Sequence, residues 1–315
     1  MKIYAISILF SLFFINTQAQ NAVLYDSKNT SMIDDQLSKV TVDFDGNVWF
    51  GTSGFGLVKY DGEKFKNYGQ NHSTIGTSIN LLFTDSKGCV WLNFTRPYSQ
   101  LLFYDGFNWK EINGEENGVS EISASSITED NLGNIYVGGY NQLLKFDGEK
   151  WQEVKLPFKN INITSLTINK KGNIAISYNN GILVRDNNQW RKITEENSEL
   201  RLSTVKALKY IDNKLFIGYG GGEGDGGFSI LENNKWTHYN KSNSSIPDHM
   251  VRDIEIDNDK TIWMATNNGL IKMKNGDVES VFIRKGMFSN TTFDIAIGKQ
   301  KIWVTTNFGL IGIEK

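Results

Sequence analysis

The chain has 315 residues, 39% of them hydrophobic, and a formal net charge of −2. One Cys, Cys89, excludes an internal disulfide, and no run of five basic residues occurs, so nucleic-acid binding and polybasic membrane attachment lack an electrostatic footprint. Three Pro and no Ser/Pro-rich linker leave no boundary at which to divide the chain.

The first predicted element is a targeting segment. Lys2 precedes a mostly apolar run of 13 residues, 3–15, and Thr17-Gln18-Ala19 offers small residues at a cleavage site. Such a run is too short to span a bilayer as a stable helix. Residues 1–19 are therefore expected to be a signal peptide and 20–315 a single domain, exported to the periplasm or secreted. No later apolar run reaches 18 residues, so no membrane insertion is expected after cleavage.

Next comes Tyr25-Asp26-Ser27-Lys28-Asn29, which reads like Tyr239-Asn240-Lys241-Ser242-Asn243 far downstream. Between them begins a repeat. Its best copy is Asp45-Gly46-Asn47-Val48-Trp49-Phe50-Gly51-Thr52 followed by Gly56-Leu57-Val58-Lys59-Tyr60-Asp61-Gly62. Related copies centre on Trp91, Tyr136, Ala175, Phe216, Trp263 and Trp303, at steps of 42, 45, 39, 41, 47 and 40 residues. A period near forty with four short strands is the pattern of a propeller blade.

Within each unit the first strand alternates, as in Val251-Arg252-Asp253-Ile254-Glu255-Ile256. Alternation is the mark of a half-buried strand. Asp-Gly, Lys-Gly or Asp-Asn pairs then make a tight turn. The second strand is a continuous apolar run such as Ile262-Trp263-Met264, which implies burial on both faces. The third follows Gly-Leu, and the fourth opens on an aromatic: Phe65, Trp109, Trp151, Trp190, Trp236. The seventh unit reaches Lys315 with only three strands. The segment at Tyr25 is expected to supply the missing one. The fold class is thus all-β: a seven-bladed β-propeller of four-stranded antiparallel blades, closed by its N-terminal strand, with no edge left exposed.

Gly46-Asn47-Val48-Trp49-Phe50-Gly51-Thr52 and Gly56-Leu57-Val58-Lys59-Tyr60-Asp61-Gly62 resemble the two-component regulator propeller repeat, over roughly residues 22–315. That resemblance implies a periplasmic sensor propeller, often in polysaccharide-using bacteria. A similar Gly-Asn-Leu-Trp-Phe repeat occurs in the seven-bladed streptogramin lyases, whose activity depends on a His base and a metal. That second resemblance makes His249 the candidate base of a rival, enzymatic reading.

The residues themselves give no catalytic constellation. His72, His238 and His249 form no ligand-spaced pair, so no metal site and no cofactor are expected. Gly218-Tyr219-Gly220-Gly221-Gly222-Glu223-Gly224-Asp225-Gly226-Gly227 joins two strands and lacks the Lys and helix of a phosphate loop. The Glu223/Asp225 pair supplies too few oxygens for a calcium site. Cys89 has no His or Cys neighbour in sequence and reads as structural.

The connections after the second strands share one face with the inter-blade connections, around the channel mouth. On them fall Phe55, Phe94, Arg96, Tyr98, Tyr140, Tyr178, Tyr219 and Phe308. Aromatic rings suit sugar rings or peptide segments, and Arg96 suits a carboxylate. The expected function is a non-enzymatic exported binding module for an oligosaccharide or an envelope protein, with lyase or hydrolase chemistry on the same face as the alternative.

Overall fold

The computed structural model describes residues 22–68, 75–95, 99–112, 124–201, 204–221, 226–281 and 290–315. The signal segment, His72, Arg96, Tyr98, Glu223 and Asp225 lie outside them. Every described element is a strand. β1 is Ala22–Tyr25. Blade 1 is β2 (Leu37–Val42), β3 (Val48–Thr52), β4 (Leu57–Tyr60) and β5 (Phe65–Tyr68); blade 2 is β6 (Ile79–Thr84), β7 (Val90–Phe94), β8 (Gln100–Tyr104) and β9 (Trp109–Glu111). Blade 3 is β10 (Ser126–Glu129), β11 (Ile135–Gly139), β12 (Gln142–Phe146) and β13 (Trp151–Glu153); blade 4 is β14 (Ser165–Ile168), β15 (Ile174–Tyr178), β16 (Gly181–Asp186) and β17 (Gln189–Ile193). Blade 5 is β18 (Val205–Ile211), β19 (Lys214–Tyr219), β20 (Phe228–Glu232) and β21 (Lys235–Tyr239); blade 6 is β22 (Val251–Ile256), β23 (Ile262–Thr266), β24 (Gly269–Lys274) and β25 (Asp277–Val281). Blade 7 is β26 (Thr292–Ile297), β27 (Lys301–Thr306), β28 (Gly309–Glu314) and then β1.

All seven sheets are four-stranded and antiparallel, six as meanders and the seventh completed by β1, and the seven-bladed all-β propeller read from the repeat is the observed fold. Closure also follows the expectation: β1 pairs antiparallel with β28, setting Ala22 opposite Ile313 and Tyr25 opposite Leu310. The Tyr25 ring lies 5.3 Å from Tyr60 and 5.7 Å from Trp303, which ties the closing strand to blades 7 and 1. Gly309, at φ +123°, begins β28 so close to the closing strand that a Cβ there would fall 2.2 Å from the Tyr25 carbonyl.

Turn chemistry fixes the hairpins. The Asp43 carboxylate accepts the Asn47 amide at 2.9 Å and Trp49 Nε1 at 2.8 Å. Asp85 repeats this with the Cys89 amide and Trp91 Nε1, both at 2.8 Å. An acid six residues before the core Trp thus satisfies both the turn and the buried indole. On the outer hairpins Asp61, Asp105 and Asp147 each accept two amides from the turn that follows. These bonds to the charged form hold all three carboxyls below the ordinary carboxylate value.

The core lies between blades. The five residues of each second strand in blades 1, 2, 3, 4 and 6 are all buried, as an unalternating run requires. Trp49 and Leu57 of blade 1 pack with Ile79, Val90 and Leu92 of blade 2. Ala296, Trp303 and Leu310 of blade 7 pack with Val40, Phe50 and Val58 of blade 1. Burial of this kind, about 25 cal/mol per Å² of apolar surface, is what holds neighbouring blades together.

The inner strands need a second device, because one edge of each faces no strand of its own sheet. Side chains of the preceding blade serve it. Ser38, Asn80, Ser125 and Thr164 donate to the carbonyls of Ile79, Ala124, Ile163 and Val205 in the next blade. Ser165, Asp253 and Asp294 accept the amides of Leu208, Ile295 and Val40, each at 2.9 Å. The ring is stitched through polar groups that alternation alone does not explain.

Candidate functional site

Two surfaces compete for function. The loop face carries the connections from second to third strands and from blade to blade. The turn face carries the tight hairpins. A channel of about 400 Å³ joins them, lined by the inner strands.

Strand geometry separates the sequence-predicted aromatics. Phe94, Tyr178 and Tyr219 are the last residues of β7, β15 and β19. Their exposures are 2%, 7% and 0%. The expectation placed them just beyond these strands; the strands run further than the apolar runs, and the pleat turns these rings between blades. Tyr219 donates to Ser229 Oγ at 2.8 Å inside blade 5. Tyr140, Phe55 and Phe308 remain on the loop face, at 59%, 39% and 39% exposure. Phe308 and Phe55 belong to adjacent blades 7 and 1. Arg96 and Tyr98 lie outside the described residues. Exposed apolar side chains also occur on the turn face: Phe44, Phe107 and Leu132.

Sequence reasoning singled out none of the channel's charges. Lys39 Nζ meets Asp294 at 2.6 Å and Lys209 Nζ meets Glu255 at 2.7 Å. Asp253 lies between the two pairs and adds a third carboxylate. Burial, helped by Asp253 and opposed by Lys39, pushes the Asp294 carboxyl up to about 7. Burial likewise raises Glu255 against the pull of Lys209. Burial would lower both lysines, but the facing carboxylates outweigh it and raise them. The network spans blades 5, 6, 7 and 1, whereas the same inner-strand positions of blades 2 to 4 are neutral in Leu81, Phe83, Ser126, Thr128, Ser165 and Thr167.

His249 lies on the connection into β22, where its carbonyl accepts the Gly227 amide. Its Nδ1 is buried and has no hydrogen-bond partner. Among the described residues no three His, Cys, Asp or Glu side chains converge as metal ligands would. His238 Nδ1 pairs with Ser229 Oγ at 2.7 Å between the two outer strands of blade 5. Burial pushes the Cys89 thiol up, away from the reactive thiolate. No helix among the described residues is long and apolar enough to cross a membrane.

No family model matches the chain, and no curated protein matches it. Solved structures do. The extracellular domain described as that of a hybrid two component system from B. thetaiotaomicron superposes with a TM-score of 0.74 at 18% identity, covering 93% of this chain and 41% of that one. Streptogramin B lyase gives 0.69 at 15% identity, covering 93% and 96%. A catalytically inactive virginiamycin B lyase from Staphylococcus aureus with quinupristin gives 0.71 at 17%, covering 93% and 98%. At these identities the likeness establishes the fold: the chain shares the seven-bladed propeller of two-component extracellular domains and of streptogramin lyases. Against the first of these structures it spans less than half the length.

Proposed function

We propose that the chain is an exported, non-enzymatic binding propeller whose loop face holds an oligosaccharide, with an envelope protein as the competing occupant. One observation carries the reading. Tyr140, Phe55 and Phe308 keep their rings in solvent on this face, while most of the other aromatics pack between blades or within a sheet. Rings left exposed beside a polar channel mouth give apolar contact next to hydrogen-bonding groups, the combination that sugar rings and peptide segments both use. Export rests on the N-terminal sequence pattern.

Glycan-array and envelope-protein cross-linking measurements on the wild type and on Tyr140→Ala and Phe55→Ala test the face. Loss of binding in variants with unchanged unfolding midpoints is expected. Undiminished binding in both would move the site elsewhere.

Lyase chemistry on the same face has one observation of its own, the unpartnered Nδ1 of buried His249, alongside the shared fold of the lyases. Incubation with quinupristin decides it. Turnover that disappears in His249→Ala would replace the binding reading with an enzymatic one.

A further inference from the structure

The inner strands of blades 1, 2, 5, 6 and 7 carry a β-bulge at their loop-face end, and the equivalent residues of blades 3 and 4 lie just before β10 and β14. Register slips by one residue between Leu37 and Val40, Ile79 and Leu81, Val205 and Ala207, Val251 and Asp253, and Thr292 and Ile295. A bulge re-aims the side chain it carries. At this position blades 1 to 4 have Ser38, Asn80, Ser125 and Thr164, and each stitches its blade to the next through a backbone carbonyl.

Blades 5, 6 and 7 have instead Lys206, Arg252 and Phe293. Neither cation makes the stitch. The Lys206 stem lies by Gly220, where a Cβ would come within 3.2 Å of it, so the chain leans toward the loop face. Lys206 is exposed, and its ammonium pairs with no described residue. Arg252 also leans on its own blade's loop, donating through Nη2 to Asn267 Oδ1 at 2.6 Å and covering the Phe293 ring at 5.3 Å. Its partner is a neutral amide, and burial lowers its pKa against the pull of Asp248. The nearby channel carboxylates are occupied: Asp253 accepts the Ile295 amide, and Asp294 accepts both the Val40 amide and Lys39.

Two cations on adjacent inner strands, β18 and β22, thus stand at the channel mouth without an ion pair among the described residues, although the Asp248 carboxylate pulls on Arg252 from nearby. Their side chains are long enough to converge on one group. Around the same mouth lie the hydroxyls and amide of blades 1 to 4; Asn80 Oδ1 already accepts from Asn93 and Thr164 Oγ1 shares a bond with Ser177, while the Ser38 and Ser125 oxygens act in their own bonds only as donors and keep their lone pairs for a ligand. We propose that Lys206 and Arg252 form the anion subsite of this mouth, and that its ligand is a carboxylated, uronic-acid-type oligosaccharide. The cations take the carboxylate and the hydroxyl arc takes the sugar hydroxyls. This rests on the binding reading of the loop face and sharpens it to a ligand class.

The test titrates oligogalacturonate, its methyl ester and oligoglutamate into the full chain. The free acid is expected to bind, and the neutral ester roughly tenfold or more weakly, since a charge-assisted hydrogen bond contributes about that factor. Lys206→Gln and Arg252→Gln should each weaken the free acid by about tenfold while leaving the ester unchanged. Arg252→Lys should fall between, keeping the charge and losing the planar fork. Matching unfolding midpoints show that the variants fold. Equal binding of acid and ester, no binding of the acid, or a double variant as tight as wild type overturns the subsite. Oligoglutamate bound in place of the uronate, with the same dependence on both cations, overturns the sugar in favour of an acidic peptide. Ester-like binding that survives in the double variant but is lost in Tyr140→Ala leaves the loop-face reading standing and removes only this one.

Discussion

Gly309→Ala measures what ring closure contributes, provided backbone strain is subtracted. Gly62 supplies the subtraction. Both glycines have positive φ, +123° and +100°, but a Cβ on Gly62 meets nothing within 4 Å, whereas one on Gly309 meets the Tyr25 carbonyl at 2.2 Å. An L-residue at positive φ costs about 1–2 kcal/mol, and that should be the whole effect of Gly62→Ala. Gly309→Ala adds displacement of β1 at the Tyr25–Leu310 pair. A backbone hydrogen bond there contributes about 0.5–1.5 kcal/mol. The Tyr25 ring contacts to Tyr60, Phe65 and Trp303 contribute a further amount of about 0.5–1.5 kcal/mol each where they loosen. With all three ring contacts loosened the total expected is about 3–8 kcal/mol. Urea unfolding of both variants beside wild type gives the difference, and hydrogen exchange at residues 22–25 should rise in Gly309→Ala alone. Equal destabilisation of the two variants would refute closure by β1 as a source of stability.

Ser125→Ala should cost about 1–2 kcal/mol in chemical denaturation, because the Ile163 carbonyl loses its inter-blade donor. Stability should respond to pH with two opposite signs. Asp294 is raised from 3.8 to about 7, so the folded chain holds more protons between those values and stability falls as pH rises through them; Asp294→Asn should remove that slope in urea midpoints measured from pH 4 to 8. Asp61, Asp105 and Asp147 are lowered, so their contribution is present above the ordinary carboxylate value and is lost as pH falls below it; Asp105→Asn should flatten part of that acid limb. Trp49→Phe should destabilise by about 1–3 kcal/mol, since Asp43 loses the indole it accepts from, while Tyr140→Ala, exposed on a loop, should stay within about 0.5 kcal/mol of wild type.

The fold was legible because each blade announces itself twice, by a turn pair and by an apolar second strand. Asn187-Asn188 and Asn233-Asn234 indeed take positive φ at both positions, as tight hairpins need. The closing strand was legible from the likeness of Tyr25 to Tyr239 and from a last unit one strand short. The site was legible only in part. Composition places an aromatic after the second strand, but the pleat decides where it points, and one residue separates buried Tyr219 from a loop position. The bulge left only a small mark, two polar residues in succession such as Arg252-Asp253 between Val251 and Ile254, which a reading of the whole strand as alternating passes over. A signal for Lys206 and Arg252 was nonetheless present. They interrupt a column that reads Ser38, Asn80, Ser125 and Thr164 in the first four copies, and only the hydrogen bonds of that column show what the interruption gives up.

Pairing Ala22 with Ile313 also sets an orientation. β1 starts, and β28 ends, at the turn face, so both ends of the ring leave the molecule side by side on the side opposite Tyr140, Lys206 and Arg252. Any tether joined at either end, natural or engineered, would hold the propeller with its channel mouth outward. The same adjacency makes the chain a natural candidate for circular permutation: a short linker from the last strand to the first, with new ends opened in the turn at Asn233-Asn234, would keep every blade intact and move the attachment point around the rim by two blades.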